Sequence, residues 1–242
     1  NSEFDSNTGF KDGWVSGGTS GIYQNFRRAP GFYDTVAYTG DSTANQQIPH
    51  NLEVAPELII TKIRNSYGRN WAVYSSVTGA GKWLQLNDVN AVQTGSGKFD
   101  TAPTSTIFYV SADSSFMTGS SGNYIAHLFA TLPGISKVGS YTGTGSARTI
   151  DHNLGCIPGM ILVKRLNSTD NWNVYHRGQH SSNPPGYYLQ LNTSDSIGGA
   201  SNRWNDTAPT ATEFTLGTAP VVNANGDEFI AYCWAEIEGF SK

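Results

Sequence analysis

Two carboxylates stand two residues apart in Glu236-Ile237-Glu238, and the β-prone run before them puts both on one face of a last strand. Glycosidases use such a pair as acid and nucleophile or base. Strand rise separates residues i and i+2 by about 7 Å, however, and this alone does not set a catalytic spacing. His176 and His180, four apart in Tyr175-His-Arg-Gly-Gln-His180, would clip a metal on a helix. Gly178 and the following Ser-Ser-Asn-Pro-Pro run argue for a loop instead, and no Cys or acidic cluster completes a ligand set. There is no Gly-x-Ser-x-Gly elbow, phosphate loop or dinucleotide fingerprint in a meaningful context. Cys156 and Cys233 both sit in apolar company and read as buried thiols, with one bridge between them as the open alternative. These residues predict no metal, no cofactor and no enzyme. A polysaccharide depolymerase using Glu236 and Glu238 is the enzymatic alternative.

Self-comparison is more informative. Ile48-Pro-His-Asn-Leu52 returns as Ile150-Asp-His-Asn-Leu154, and Asn70-Trp-Ala-Val-Tyr74 as Asn171-Trp-Asn-Val-Tyr175. Trp83-Leu-Gln-Leu-Asn87 matches Tyr188-Leu-Gln-Leu-Asn192, and Asp100-Thr-Ala-Pro-Thr104 matches Asp206-Thr-Ala-Pro-Thr210. The order is kept, and the spacing drifts only from 101 residues (Trp71 to Trp172) to 106 (Asp100 to Asp206). The chain is therefore a duplication. Ile22 to Gly40 also aligns without gaps onto Ile125 to Gly143, so residues 1–31 read as the closing strand or cap of a preceding copy. Full copies are expected over 32–137 and 138–242, in a slice of a longer array.

The elements that must hold these residues are short β-prone runs such as Leu58–Ile63 and Trp71–Tyr74, separated by Gly, Asn, Asp, Ser and Pro clusters. No long amphipathic helical stretch occurs. The expected fold is all-β, two tandem β-sandwich modules related by internal duplication.

The residues shared by both copies are mostly fold-making types. Asp100 and Asp206 precede a turn and would accept N–H groups two or three residues on, with a ligand or cation contact as the alternative. His50-Asn51 and His152-Asn153 fit a polar turn in which Asn takes left-handed backbone and His bonds a nearby carbonyl. Trp71 and Trp172 suit a core position better than a platform, while Phe99 and Trp204 suit core or rim. Trp83 and Tyr188 lie opposite Leu84 and Leu189 on their strands and are the candidates for an exposed aromatic surface. With Asn87 and Asn192 they form the predicted ligand-binding set, rings stacking on a sugar and amides bonding hydroxyls.

Charged residues are only 14%, and the net charge of −4 lacks the basic field that a nucleic-acid partner requires. No run of eighteen apolar residues is present, so no membrane-inserting helix is expected. The opening Asn1-Ser-Glu-Phe4 shows no signal peptide and no initiator Met.

Arg28-Ala-Pro-Gly-Phe32 leading to Tyr38-Thr-Gly40, the Asn-Trp-x-Val-Tyr stretch and the closing Phe229 to Lys242 run resemble a known repeat family. It is the tandem β repeat of predicted tail-fibre and virion structural proteins of marine bacteriophages. The resemblance covers nearly the whole chain from Gly21. It implies a virion-surface or extracellular setting, fibre subunits or a cell-surface glycan as partners, and a rod-like array. It supplies no catalytic residues. The expectation is a non-enzymatic tail-fibre or adhesin segment with a glycan-binding face; a purely structural fibre spacer is the alternative.

Overall fold

The computed structural model describes residues 25–66, 68–111, 117–119, 121–238 and 240–241. The first copy contains β1 (Tyr33–Thr39), β2 (Gln46–Pro49), β3 (Leu58–Ile63) and β4 (Ala72–Ser75). It continues with β5 (Lys82–Gln85), β6 (Gln93–Thr94), β7 (Ile107–Val110) and β8 (Asn123–Phe129). The second copy repeats the series as β9 (Ser136–Thr142), β10 (Arg148–Asp151), β11 (Pro158–Arg165) and β12 (Asn173–His176). Then follow β13 (Tyr187–Gln190), β14 (Gly198–Gly199), β15 (Glu213–Leu216) and β16 (Glu228–Ala235). Single-turn helices α1 (Ser201–Trp204) and α2 (Pro220–Asn223) flank β15.

Antiparallel pairing orders the first sheet β1-β8-β3-β4-β5-β6 and the second β9-β16-β11-β12-β13-β14. In each copy the remaining two strands form a separate ribbon, β2 with β7 and β10 with β15. The duplication thus holds strand by strand. The Tyr-Thr-Gly motif shows why its residues recur. The hydroxyls of Tyr38 and Tyr141 donate to the carbonyls of Met117 (3.1 Å) and Val222 (2.7 Å). That pulls the loop before the closing strand onto Gly40 and Gly143, where any Cβ would strike its backbone.

Side chains alternate across each strand, and the alternation builds three cores. Ile59 and Ile63 of β3 pack with Ile48, Phe108 and Val110 beneath the first ribbon. Ile161 and Val163 of β11 pack with Ile150, Phe214 and Leu216 beneath the second. The opposite faces meet each other. Leu58, Val73, Leu84 and Phe129 from the first copy join Leu162, Val174, Ile230, Tyr232 and Trp234 from the second in one central cluster. Each module is a ribbon-on-sheet sandwich, and the two stack sheet to sheet instead of following one another as independent beads. Burying such side chains contributes about 1.5–3 kcal/mol each, so the central cluster supplies stability that neither copy has alone.

Polar contacts fix the junction. The Trp172 indole N–H donates to the Gln85 carbonyl (2.8 Å), and Lys164 Nζ donates to the carbonyls of Val89 (2.9 Å) and Asp170 (2.6 Å). The amides of Val92 and Asp170 donate to the carbonyls of Leu166 and Val89, both at 2.8 Å. Lys164 is fully buried. Loss of water pulls its pKa from 10.5 down to about 8, against the opposing pull of the Asp170 and Asp88 carboxylates.

Candidate functional site

β5 and β13 carry the two aromatic candidates. Because Leu84 turns into the central core, Trp83 faces the other way, into the core under the first ribbon, and only 6% of it is exposed. Lys98 Nζ lies 3.8 Å from the centre of its ring. Tyr188 is half-buried, with the Arg203 guanidinium 3.2 Å from its ring centre. The two cation–ring pairs are equivalent, since Lys98-Phe99 and Arg203-Trp204 occupy the same place in each copy. Arg203 is itself buried and donates to the Asn173 side chain, so the cation is fixed. Gly198 lies beneath Tyr188, where a Cβ would collide with the ring. The expected exposed surface at Trp83 is therefore corrected: the segment running into β7 closes over the ring and lays a cation on it.

The paired amides are engaged at both ends. Asn87 Oδ1 accepts the Trp71 amide (2.8 Å) and its Nδ2 donates to Asn70 Oδ1 (2.9 Å). Asn192 repeats this with the Trp172 amide (2.8 Å) and Asn171 Oδ1 (2.7 Å). Each holds an Asn-Trp strand start in place. Of the four predicted ligand residues, the copies bring Trp83 near β4 through Val73–Leu84 pairing and Tyr188 likewise through Val174–Leu189, one set per module.

The remaining shared motifs explain one another. His50 and His152 each accept a backbone N–H on Nδ1, from Leu52 (3.2 Å) and Leu154 (3.1 Å). The proton is then on Nε2, which lies 3.2 Å from the carbonyls of Thr104 and Thr210. The His-Asn and Thr-Ala-Pro-Thr motifs thus form one clip that ties the two strands of each ribbon, as the carbonyl-bonding expectation required. Burial lowers both imidazole pKa values. Asn153 is left-handed (φ 50°) but Asn51 is not; two residues on, Glu53 (φ 66°) and its counterpart Gly155 (φ 82°) both take that geometry. Asp100 also departs from expectation. It accepts the Gly97 amide with both oxygens (3.0 and 2.8 Å), closing the turn before it, not the one after.

The chemistry-capable groups are scattered. β16 ends at Ala235, so Glu236 and Glu238 do not share a strand face; this corrects their predicted placement, and the cause is the turn from Ile237 to Ser241. Glu236 pairs with Arg177 at 2.8 Å, and Glu238 is exposed. His176 ends β12 and accepts the Gly178 amide, while His180 stacks on Tyr187 with ring centres 4.0 Å apart. Among the described residues no group of His, Cys, Asp and Glu is placed to hold a metal ion. Both cysteines are free. Cys156 donates to the Gly134 carbonyl (3.0 Å), and burial pushes the Cys233 thiol up to about 12.

One cleft of about 360 Å³ opens between the copies, with Thr78 and Lys82 on one side and Thr142, Asn167 and Glu228 on the other. Sequence reasoning missed it, along with Lys98, Arg203 and Lys164. The cation preceding each of Phe99 and Trp204 was the available signal for the first two.

Fold and site together describe an all-β protein made of two duplicated modules that share a core. The chain belongs to the DUF7483 family, a domain of unknown function, whose profile matches residues 19–148 and again 140–242. No curated protein and no solved structure matches it.

Proposed function

We propose that the chain is a non-enzymatic structural segment of a phage tail fibre or comparable virion-surface adhesin. The observation carrying this reading is that the polar residues repeated at the His-Asn turns, the strand starts and the ring faces are committed internally. His50 and His152 clip the ribbons, Asn87 and Asn192 hold strand starts, and Lys98 and Arg203 cover the rings that would otherwise stack on a ligand. Residues duplicated for ligand binding would keep free valences facing solvent. The virion setting rests on the motif resemblance. In the test, the chain is applied to an array of bacterial-surface and marine glycans beside Asn87→Ala plus Asn192→Ala. The expected result is a silent array and a lowered melting temperature. A glycan whose binding is lost in that variant with the melting temperature unchanged would overturn the reading.

A glycan-binding adhesin is the second reading, favoured by the polar-rimmed cleft between the copies. Its hydroxyl-bonding groups are Lys82, Asn167 and Glu228, away from Trp83 and Tyr188. Array binding abolished by Lys82→Ala plus Asn167→Ala would select it.

A further inference from the structure

The joint between copies occurs three times. Ala29 bridges Tyr33, Leu132 bridges Ser136, and Ile237 bridges Ser241, each across the same tight turn. After the first turn, Tyr33 pairs with Phe129, and the Ala130 amide donates to the Phe32 carbonyl (3.0 Å). After the second, Ser136 pairs with Trp234, and the Ala235 amide donates to the Ile135 carbonyl (2.8 Å). After the third, Ser241 pairs with Phe26, and the Arg27 amide donates to the Phe240 carbonyl (2.8 Å). The last pair of contacts joins opposite ends of the chain in the register of the other two.

Phe26, Phe129 and Trp234 are therefore equivalent residues, and they touch each other. Their ring centres lie 5.0 Å (Phe26–Phe129), 5.8 Å (Phe26–Trp234) and 5.6 Å (Phe129–Trp234) apart. Three equivalent groups in a near-equilateral triangle define a pseudo-three-fold axis; a two-fold relation or a straight array would leave one pair apart. Two complete copies occupy two of the three positions around it.

The junction between those copies is head to tail. The second copy presents Lys164, Asp170 and Trp172, and the first presents Gln85, Leu86, Val89 and Val92. Rotation about the axis leaves the unmatched half of each copy facing the third position. On one side stand Lys62, Arg69 and Trp71, the counterparts of Lys164, Asp170 and Trp172. Lys62 already donates to the Arg69 carbonyl, as Lys164 does to Asp170. On the other side stand Gln190, Leu191, Ser194 and Ile197, the counterparts of Gln85, Leu86, Val89 and Val92. Leu191 is 45% exposed where Leu86 packs against the central core, and Trp71 is half-buried where Trp172 is wholly buried.

We propose that the third position is a docking site for a third copy of this repeat, running on from Ser241 and closed by Phe26 and Arg27. The chemistry that recognises it is the chemistry of the existing junction. An indole N–H and an ammonium meet strand-edge carbonyls, around paired apolar side chains. The site does not depend on a virion role for the protein.

The test is a chain prolonged after Lys242 by a second rendering of residues 138–227, compared with the 242-residue chain by amide exchange and mass spectrometry. Exchange at residues 69–71 and 191–197 should slow at least tenfold in the prolonged chain. Leu191→Asp should undo this, yet leave the melting temperature of the 242-residue chain unchanged. A folded prolonged chain that exchanges at both edges like the parent overturns the proposal. Phe26→Ala in the 242-residue chain tests the axis without relying on that chain folding. It should speed exchange at the Ile237 and Ser241 amides at least tenfold, and unchanged exchange there overturns the proposal equally.

Discussion

Lys62 and Lys164 occupy the same position on equivalent strands and make the same bond to a carbonyl in the turn that follows. Lys62 stays half-exposed, 5.7 Å from the Trp71 ring centre, whereas Lys164 is sealed under the other copy and bonded to its Val89 carbonyl. Trp71 and Trp172 differ in the same way. The local sequence sets each side chain's direction and first partner. What lies across the junction decides whether that side chain is surface or core.

Truncating the two indoles should give the largest difference between the copies. Trp172→Ala should cost about 4 kcal/mol in chemical denaturation, because it leaves a cavity and an unpaired Gln85 carbonyl in the shared core. Trp71→Ala should cost roughly 1 kcal/mol. Equal losses would show that the junction contributes nothing to the difference.

Lys164 gives a second test, in pH. The folded pKa of Lys164 is depressed to about 8 from 10.5, so the unfolded chain binds more protons between those values and stability rises with pH there. Relative to Lys164→Met, the parent should gain about 2 kcal/mol between pH 7.5 and 9.5. Comparison with the variant matters because Cys233, raised to about 12 from 9, works in the opposite direction.

Features away from the junction should behave alike in both copies. His50→Ala and His152→Ala should each cost about 1.5 kcal/mol, by stripping a buried amide and a carbonyl of their partner. Burial holds both imidazoles below their ordinary 6.5, so stability present above that value is lost as the pH falls through it; the double variant should flatten this acid limb. Lys98→Ala should have the smallest effect, about 1 kcal/mol, seen as a small shift in melting temperature. Arg203→Ala is the exception to equivalence and should cost more, because it also strips the buried Asn173 side chain of a partner.

The repeat was legible in the sequence because it is covalent pattern: the strands, the His-Asn turn and the role of Trp172 as core all follow from residue types and period. Trp83 was misread because alternation tells which residues share a face, not which face meets solvent. Both faces of β5 are covered, one by its own module and one by its neighbour. Asp100 was misread for a related reason, since a carboxylate beside two turns can close either. The pairing of Glu236 and Glu238 failed at an element boundary, where a turn shared by all three joints ends the strand. Nothing local marks Lys164 as buried, because its cover is a segment about 75 residues away in the chain.

The bridge between Phe26 and Ser241 also has a mechanical meaning. It is antiparallel, and the chain leaves Phe26 toward its start and Ser241 toward its end on the same side of the bridge. Tension applied through Asn25 and Ser241 therefore opens it like a zipper, reaching the Arg27–Phe240 bond before the strands of the shared core. Held from the same two points, the sheets behind it stay folded until that latch has let go.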